Sequence, residues 1–275
     1  MALLHHAIAQ IVPFATDGGG GAQFHGPSID EFYPAPVLFI GTPFEMNRIM
    51  IIRVIVVIAL FLFFWLGSRR MKLIPGRFQS VVELGLDVVR VNVAEDLLGK
   101  KEGRRFLPLL TTIFFLVLGM NITGVISPLN IAGTSLIGIP IILALVSYVT
   151  FIYAGLKKHP GAFLKNALFP PGVPWPFYII VTPIEFFSTF VLRPVTLILR
   201  LTMNMIVGHL LLVLFYGATT FFFFEIGNLF GVIGVATYAV GFAFTLFEIL
   251  VAVLQAYVFT LLTAVYLQLA LADEH

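Results

Sequence analysis

Leu197-Ile198-Leu199-Arg200-Leu201-Thr202-Met203-Asn204-Met205 places one cation inside an apolar run long enough to lie in a bilayer. A guanidinium stays charged at any accessible pH. Holding one at membrane depth costs about 2.5–3.5 kcal/mol on insertion scales. No carboxylate stands within a helical turn of Arg200 in sequence. Its counter-charge must therefore come from elsewhere in the fold or from another subunit.

The surroundings of that run set the fold class. Hydrophobic residues make up 59% of the chain and charged residues only 11%, which is membrane composition rather than that of a soluble domain. With no cysteine, disulfides and thiolate metal sites are excluded. The expected fold is an all-α integral membrane protein with about five membrane helices. Spans are expected at about 49–67, 106–126 and 137–156, followed by two long helices over about 177–218 and 236–272. Residues 79–99 alternate valines and leucines with Glu83, Asp87, Arg90, Glu95 and Asp96, which suits an interfacial helix. Arg53, near the outer end of the first span, is expected to snorkel. Ser127-Pro128-Leu129-Asn130 and Gly133-Thr134-Ser135 read as a loop.

Basic residues are distributed unevenly. Arg69, Arg70, Lys72, Arg77, Arg90, Lys100, Lys101, Arg104 and Arg105 lie between the first two spans, and Lys157, Lys158 and Lys165 follow the third. The positive-inside rule puts both loops in the cytoplasm, with Ala272-Asp273-Glu274-His275 on the same side. Residues 1–47 form an expected non-cytoplasmic extension, and residues 48–275 the membrane domain. The extension has no Lys or Arg before Glu45, so it lacks a secretory n-region and is expected to be retained. Asp17-Gly18-Gly19-Gly20-Gly21 is linker-like, and Pro34, Pro36 and Pro43 oppose a helix. The His5-His6 pair is read as incidental rather than as a metal site, and no cofactor is expected.

The last helix is too long for an upright span. About 37 residues at 1.5 Å each make about 55 Å, against a hydrocarbon core of about 30 Å. No Gly or Pro interrupts it after Gly241, so a strong tilt is expected and, with it, an oblique hairpin over about 177–272. Within the hairpin, Arg193 and Arg200 are seven residues apart and share a face, which Asn204 extends. His209, nine residues beyond Arg200, points to the opposite side. Glu248, Gln255, Thr263 and Tyr266 form a polar stripe on the final helix, either the wall of an aqueous path or a partner contact. Antiparallel packing brings His209 and Glu248, nineteen residues before and twenty after Asn228, to similar depth as a proton-exchanging couple. Glu185 either caps or pairs with Arg193. Asn204 has an interhelical hydrogen bond as its plain reading, and His209 is either a packed core histidine or a titrating one. Glu225 lies in the turn, as a solvated carboxylate or a proton-gathering group at an entrance.

Arg193-Pro194-Val195-Thr196-Leu197-Ile198-Leu199-Arg200-Leu201-Thr202-Met203-Asn204, continuing to Gly208-His209, resembles subunit a of F-type ATP synthases. Leu254-Gln255-Ala256-Tyr257-Val258-Phe259, Leu262-Thr263-Ala264-Val265-Tyr266-Leu267 and Pro75-Gly76-Arg77-Phe78-Gln79 strengthen the resemblance, which extends from about residue 37 onward. It implies a stator subunit in the bacterial plasma membrane, beside a ring of c subunits that each carry a membrane carboxylate. It implies further contacts with the b-subunit peripheral stalk, the remaining synthase and lipid, none with nucleic acid, and no catalytic residues in the chain itself. Arg200 then matches the family's essential arginine, Asn204 its neighbouring asparagine and Gln255 the glutamine facing that arginine. His209 and Glu248 occupy positions where many bacterial members carry the two residue types the other way round, an exchange shared with mitochondrial and some actinobacterial-looking members. Thr202-Met203 stands where Phe-Gly or Thr-Ala is commoner. The resemblance implies two offset half-channels, the outer lined by His209 and Glu248, the cytoplasmic by residues nearer Tyr266.

Two other functions compete with that one. A stand-alone secondary transporter would bind an anion at Arg200, but such folds usually carry internal repeats, and the hydropathy shows none. A non-conducting scaffold leaves the polar constellation inside the membrane without a purpose. Detergent purification separates them: a large complex with ATPase activity indicates the synthase, a lone monomer or dimer the carrier.

Overall fold

The computed structural model describes residues 26, 28, 32, 34, 36–38, 45–69, 76–126, 131–158, 177–226 and 231–272, with side chains of 36, 38, 225 and 226 excepted. The expectations for His5-His6, the Gly18–Gly21 run, residues 70–75, 127–130, Lys165, the Glu225 side chain and 273–275 lie outside the described residues. Among the described residues, five helices are long and apolar enough to cross a membrane, as the hydropathy pattern predicts.

Helix α1 (Arg48–Arg69) is apolar almost all round and ends at its own basic stop. Helix α2 (Arg77–Val89) passes through a π-helical turn, Arg90–Glu95, into α3 (Asp96–Ile122). The axis breaks at Gly99, whose φ of 73° is left-handed and open to glycine at little cost. Gly103 then sits so close to the π-turn that a Cβ there would lie 2.6 Å from the Ala94 carbonyl oxygen. The expected interfacial helix is thus an amphipathic segment folded against the bundle. Val89 and Val93 are buried in the main core, while Phe78, Val81, Leu84 and Val91 are exposed.

Helix α4 (Gly138–Lys158) carries Lys157 and Lys158 in its last turn, where cations favour the negative end of the helix dipole. Helix α5 (Tyr178–Phe187), a π-turn (Ser188–Leu192) and α6 (Arg193–Thr220) run on as one helical rod. The π-turn has a local cause. Pro194 lacks an N–H and its ring would clash with the carbonyl four residues back, so the backbone widens there. A third π-turn (Phe221–Ile226) ends the rod, and α7 (Gly231–Leu271) runs unbroken for 41 residues. It begins five residues before the expected start at 236. An unbroken helix of that length supports tilt rather than a break.

One addition to the all-α expectation comes from the extension. Strands β1 (Pro36–Leu38) and β2 (Met46–Asn47) pair antiparallel, and β2 leads directly into α1. Pro36 lies at the start of an edge strand, a position that tolerates a missing N–H.

Contacts fix which helix ends lie together. Arg53 does not snorkel: its Nε donates to the Gly133 carbonyl at 2.8 Å and its Nη2 to that of Leu136 at 3.3 Å. The carbonyls of the loop between α3 and α4 supply nearby acceptors that hold the half-buried guanidinium in place. The start of α1 therefore shares one end of the bundle with that loop and, by chain direction, with the α6–α7 turn. Lys158 Nζ donates to the Leu271 carbonyl at 2.7 Å, which puts the end of α7 at the opposite, basic end. The core between is built on α3, α4, α6 and α7, with Leu110, Val117, Leu201, Ala256, Ala264 and Leu267 fully buried.

Gly103→Ala is expected to destabilise the protein by about 1–3 kcal/mol, the usual cost of overpacking, because backbone rather than a movable side chain faces the new methyl. Gly138→Ala, whose Cβ meets nothing within 4 Å, is the neutral control. Thermal unfolding of the detergent-solubilised protein checks both, and equal melting temperatures would contradict the close approach.

Candidate functional site: the seam between α6 and α7

Helix α6 has two faces of different character. Leu197, Leu201, Met205, His209 and Leu212 are buried against the bundle, while Leu199, Arg200, Met203, Asn204 and Val207 are exposed. Arg200 and His209 thus lie on opposite sides of one helix, as the nine-residue spacing predicts. No ion pair among the described residues involves Arg200. The two that occur, Arg90–Glu95 at 2.9 Å and Arg105–Glu102 at 3.4 Å, belong to the basic end of the bundle.

The stripe on α7 turns inward. Glu248 and Gln255 are each 4% exposed and Thr263 is fully buried. Asn204 Nδ2 donates to Gln255 Oε1 at 3.0 Å, so the amide on the outer strip of α6 reaches through the seam to the buried stripe. Thr263 Oγ1 donates to Ser147 Oγ of α4 at 3.2 Å, and Ser147 donates onward to the Leu143 carbonyl. At the basic end, the Arg193 guanidinium lies 5.5 Å from the centre of the Tyr266 ring. It makes a cation–π contact there. The alternative of a Glu185–Arg193 ion pair is not what forms among the described residues.

Glu248 approaches α6 at Gly208, the residue before His209 in sequence. A Cβ at Gly208 would sit 2.7 Å from Glu248 Oε1, so the missing side chain at 208 makes room for the carboxylate. His209 is 6% exposed, and its ring meets Phe32 edge-on at 5.0 Å. Buried polar atoms are normally paired. Among the described residues Glu248 Oε2, Gln255 Nε2 and Thr202 Oγ1 have no hydrogen-bond partner. Thr111 Oγ1, Asn121 Nδ2 and Thr182 Oγ1 are also without a partner, elsewhere in the bundle. The three along the seam leave hydrogen-bonding capacity there that suits a hydrated path.

Three contributors escaped the sequence reading. Ser147 was hidden as a single hydroxyl in an apolar span, Gly208 signalled only as half of a Gly-His pair, and Phe32 lies in an extension that carried no motif. A cavity of about 1080 Å³ between α1, α2 and α3, with Glu83, Asp87 and Arg90 in its wall, shares no residue with the seam. No group of three or more potential metal-ligating His, Cys, Asp or Glu side chains occurs among the described residues.

Residues 49–268 match the profile of the ATP synthase A chain family. The chain belongs to that family. It is 50% identical to ATP synthase subunit a of Rhodococcus erythropolis, over 92% of this chain and 93% of the relative. Subunit a of Pseudarthrobacter chlorophenolicus is 36% identical over 98% of this chain and all of the relative. That of Streptomyces lividans is 35% identical over 97% and 95%. Family membership and five apolar helices make this a multi-pass membrane protein. The stand-alone carrier loses its footing, since the match spans the three leading spans as well as the hairpin.

Asn204→Ala and Gln255→Ala are expected to be non-additive. Polar contacts between membrane helices average about 0.6 kcal/mol with a maximum near 1.7, so a coupling in that range is expected from a double-mutant cycle on thermal stability. Independent losses would mean that the amides do not pair.

Proposed function

We propose that the chain is the proton-conducting stator subunit of the ATP synthase Fo sector, with Arg200 directed at a ring of c subunits. One observation carries the reading. Arg200 stands on the exposed strip of α6 with no carboxylate partner among the described residues, while His209 is buried on the other side of the same helix and Glu248 of α7 is buried against Gly208. A fixed cation at an apolar surface calls for an anion from outside the chain, and a membrane carboxylate on a neighbouring subunit supplies one.

The physics of rotation follows. A c-subunit carboxylate facing lipid has to be protonated, because an ion there is too costly. Opposite Arg200 the ionised form is favoured, so the proton leaves into one half-channel and a new one arrives from the other. His209, Glu248 and, at the turn, Glu225 serve the outer half-channel. Tyr266, Thr263, Arg193 and Glu185 lie along the cytoplasmic one. The Asn204–Gln255 bond stands between, next to Arg200, whose charge blocks direct leakage from one path to the other. The chain itself performs no covalent chemistry, and nucleotide turnover belongs to the rest of the complex, reached through the b-subunit stalk.

Arg200→Ala is expected to abolish proton-driven ATP synthesis in inverted vesicles while the complex still assembles. Arg200→Lys is expected to fail substantially too, because an ammonium is a point charge with a movable pKa. Near-parental synthesis by assembled Arg200→Ala complexes would overturn the reading.

Orientation is part of the proposal: basic end in the cytoplasm, extension and α6–α7 turn outside. The chain has no cysteine, so single cysteines at Ser68, Glu225 and Glu274 report without background. An impermeant thiol reagent added to intact cells is expected to label position 225 alone. Labelling at 68 but not at 225 would invert the assignment.

A further inference from the structure

Phe32 precedes His209 by 177 residues and lies outside the membrane helices, yet it is only 2% exposed. Of the described residues around it, Gly26, Ser28, Val37 and Glu45 are exposed and Pro34 is half-buried. A fully buried ring among them is an anchor, and it anchors on a polar side chain. Its ring lies edge-to-face on the imidazole of His209, with centroids 5.0 Å apart and planes at 68°. Pairing of β1 with β2 ties this segment to the start of α1, and so to the bundle end that carries the α3–α4 loop.

We propose that Phe32 is a wall of the His209–Glu248 pocket, contributed by the N-terminal segment and closing the pocket toward the end of the bundle where α1 begins. Two helices meet at that place. Gly208 and His209 come from α6, Glu248 from α7, and the carboxylate fills the space a side chain at 208 would take. A phenyl group, which neither gives nor takes a proton, lies against the imidazole. Such a wall excludes water from one side of the imidazole and favours access along the polar edge that runs toward Glu248 and Gln255. The inference rests on the proposed proton path for its purpose, but its geometry is testable without measuring proton flow.

Leu212 is 8% exposed and lies one turn beyond His209 on the same buried face of α6, so a cysteine there reports entry into the pocket. In the assembled, otherwise cysteine-free complex, a small methanethiosulfonate reagent added from the N-terminal side is expected to label Leu212→Cys slowly. Adding Phe32→Ala is expected to speed labelling several-fold, and Phe32→Leu to restore most of the parental rate. Ala132→Cys, buried in the α3–α4 loop at the same end, is the control and is expected to keep its rate in every background. Unchanged labelling at 212 after Phe32→Ala would refute the wall while leaving the hydrated path standing. Parallel acceleration at 212 and 132 would make Phe32 a general fastening, which also overturns the proposal. No labelling at 212 in any background would remove the hydrated pocket, and the wall with it. Should Phe32→Ala fail to assemble, Phe32→Val is read in the same assay against the same outcomes.

Discussion

Everything distinctive about this fold depends on bringing a carboxylate and an imidazole into the interior of an apolar bundle. Burying unpaired polar groups is costly, and a bilayer offers no solvent to share the burden. The chain meets that constraint with backbone space. At Gly208 the absence of a Cβ lets Glu248 approach α6 closely, and at Gly241 the neighbouring Phe215 Cβ would stand 3.2 Å from any added one. Between these points, Tyr216 and Thr245 share a hydrogen bond of 2.8 Å across the same seam. Small residues and hydroxyls therefore set the interhelical distance that the polar residues need.

A second constraint is helical geometry. Arg200 and His209 are carried by one rigid rod, so the angle between them is fixed by about 100° per residue and no domain motion is needed to separate them. The π-turn at Ser188–Leu192 absorbs Pro194 just before this stretch, and from Arg193 onward the helix is regular through Thr220. Regularity there has a consequence. A change of register by one residue would swing Arg200 toward the flank of the rod and lift His209 out of the seam, so the proline and its π-turn work best where they are, upstream of the functional positions.

Much of this was legible in the sequence, for physical reasons that can be stated residue by residue. Hydrophobic length gave the five spans, and the seven- and nine-residue spacings assigned Arg200, His209, Glu248 and Gln255 to the faces they occupy. What escaped depended on tertiary contacts between distant segments. Arg53 read as a snorkelling cation because its acceptors, Gly133 and Leu136, stand about 80 residues later and are backbone atoms with no sequence signature. Glu185 stood open as a cap or as a partner of Arg193, but the Tyr266 ring, from the far end of α7, lies under the guanidinium. Phe32 carried no periodicity at all. Local pattern identifies faces well and identifies partners poorly.

The Asn204–Gln255 bond is where these constraints meet. Asn204 belongs to the exposed strip that holds Arg200, whereas Gln255 is buried on the stripe that holds Glu248. On the proposed proton path, the way from Glu248 to the surface near Arg200 crosses the α6–α7 seam. At that crossing it meets two amides, which accept and donate hydrogen bonds but carry no charge and do not titrate in any accessible range. A carboxylate at either position would give Arg200 a permanent partner within its own subunit and cancel its demand for one from outside. An apolar residue would leave the other amide unpaired in a bundle core. Neutral polar side chains avoid both outcomes at once: the two amides pair with each other across the seam, and Arg200 is left without a carboxylate partner among the described residues.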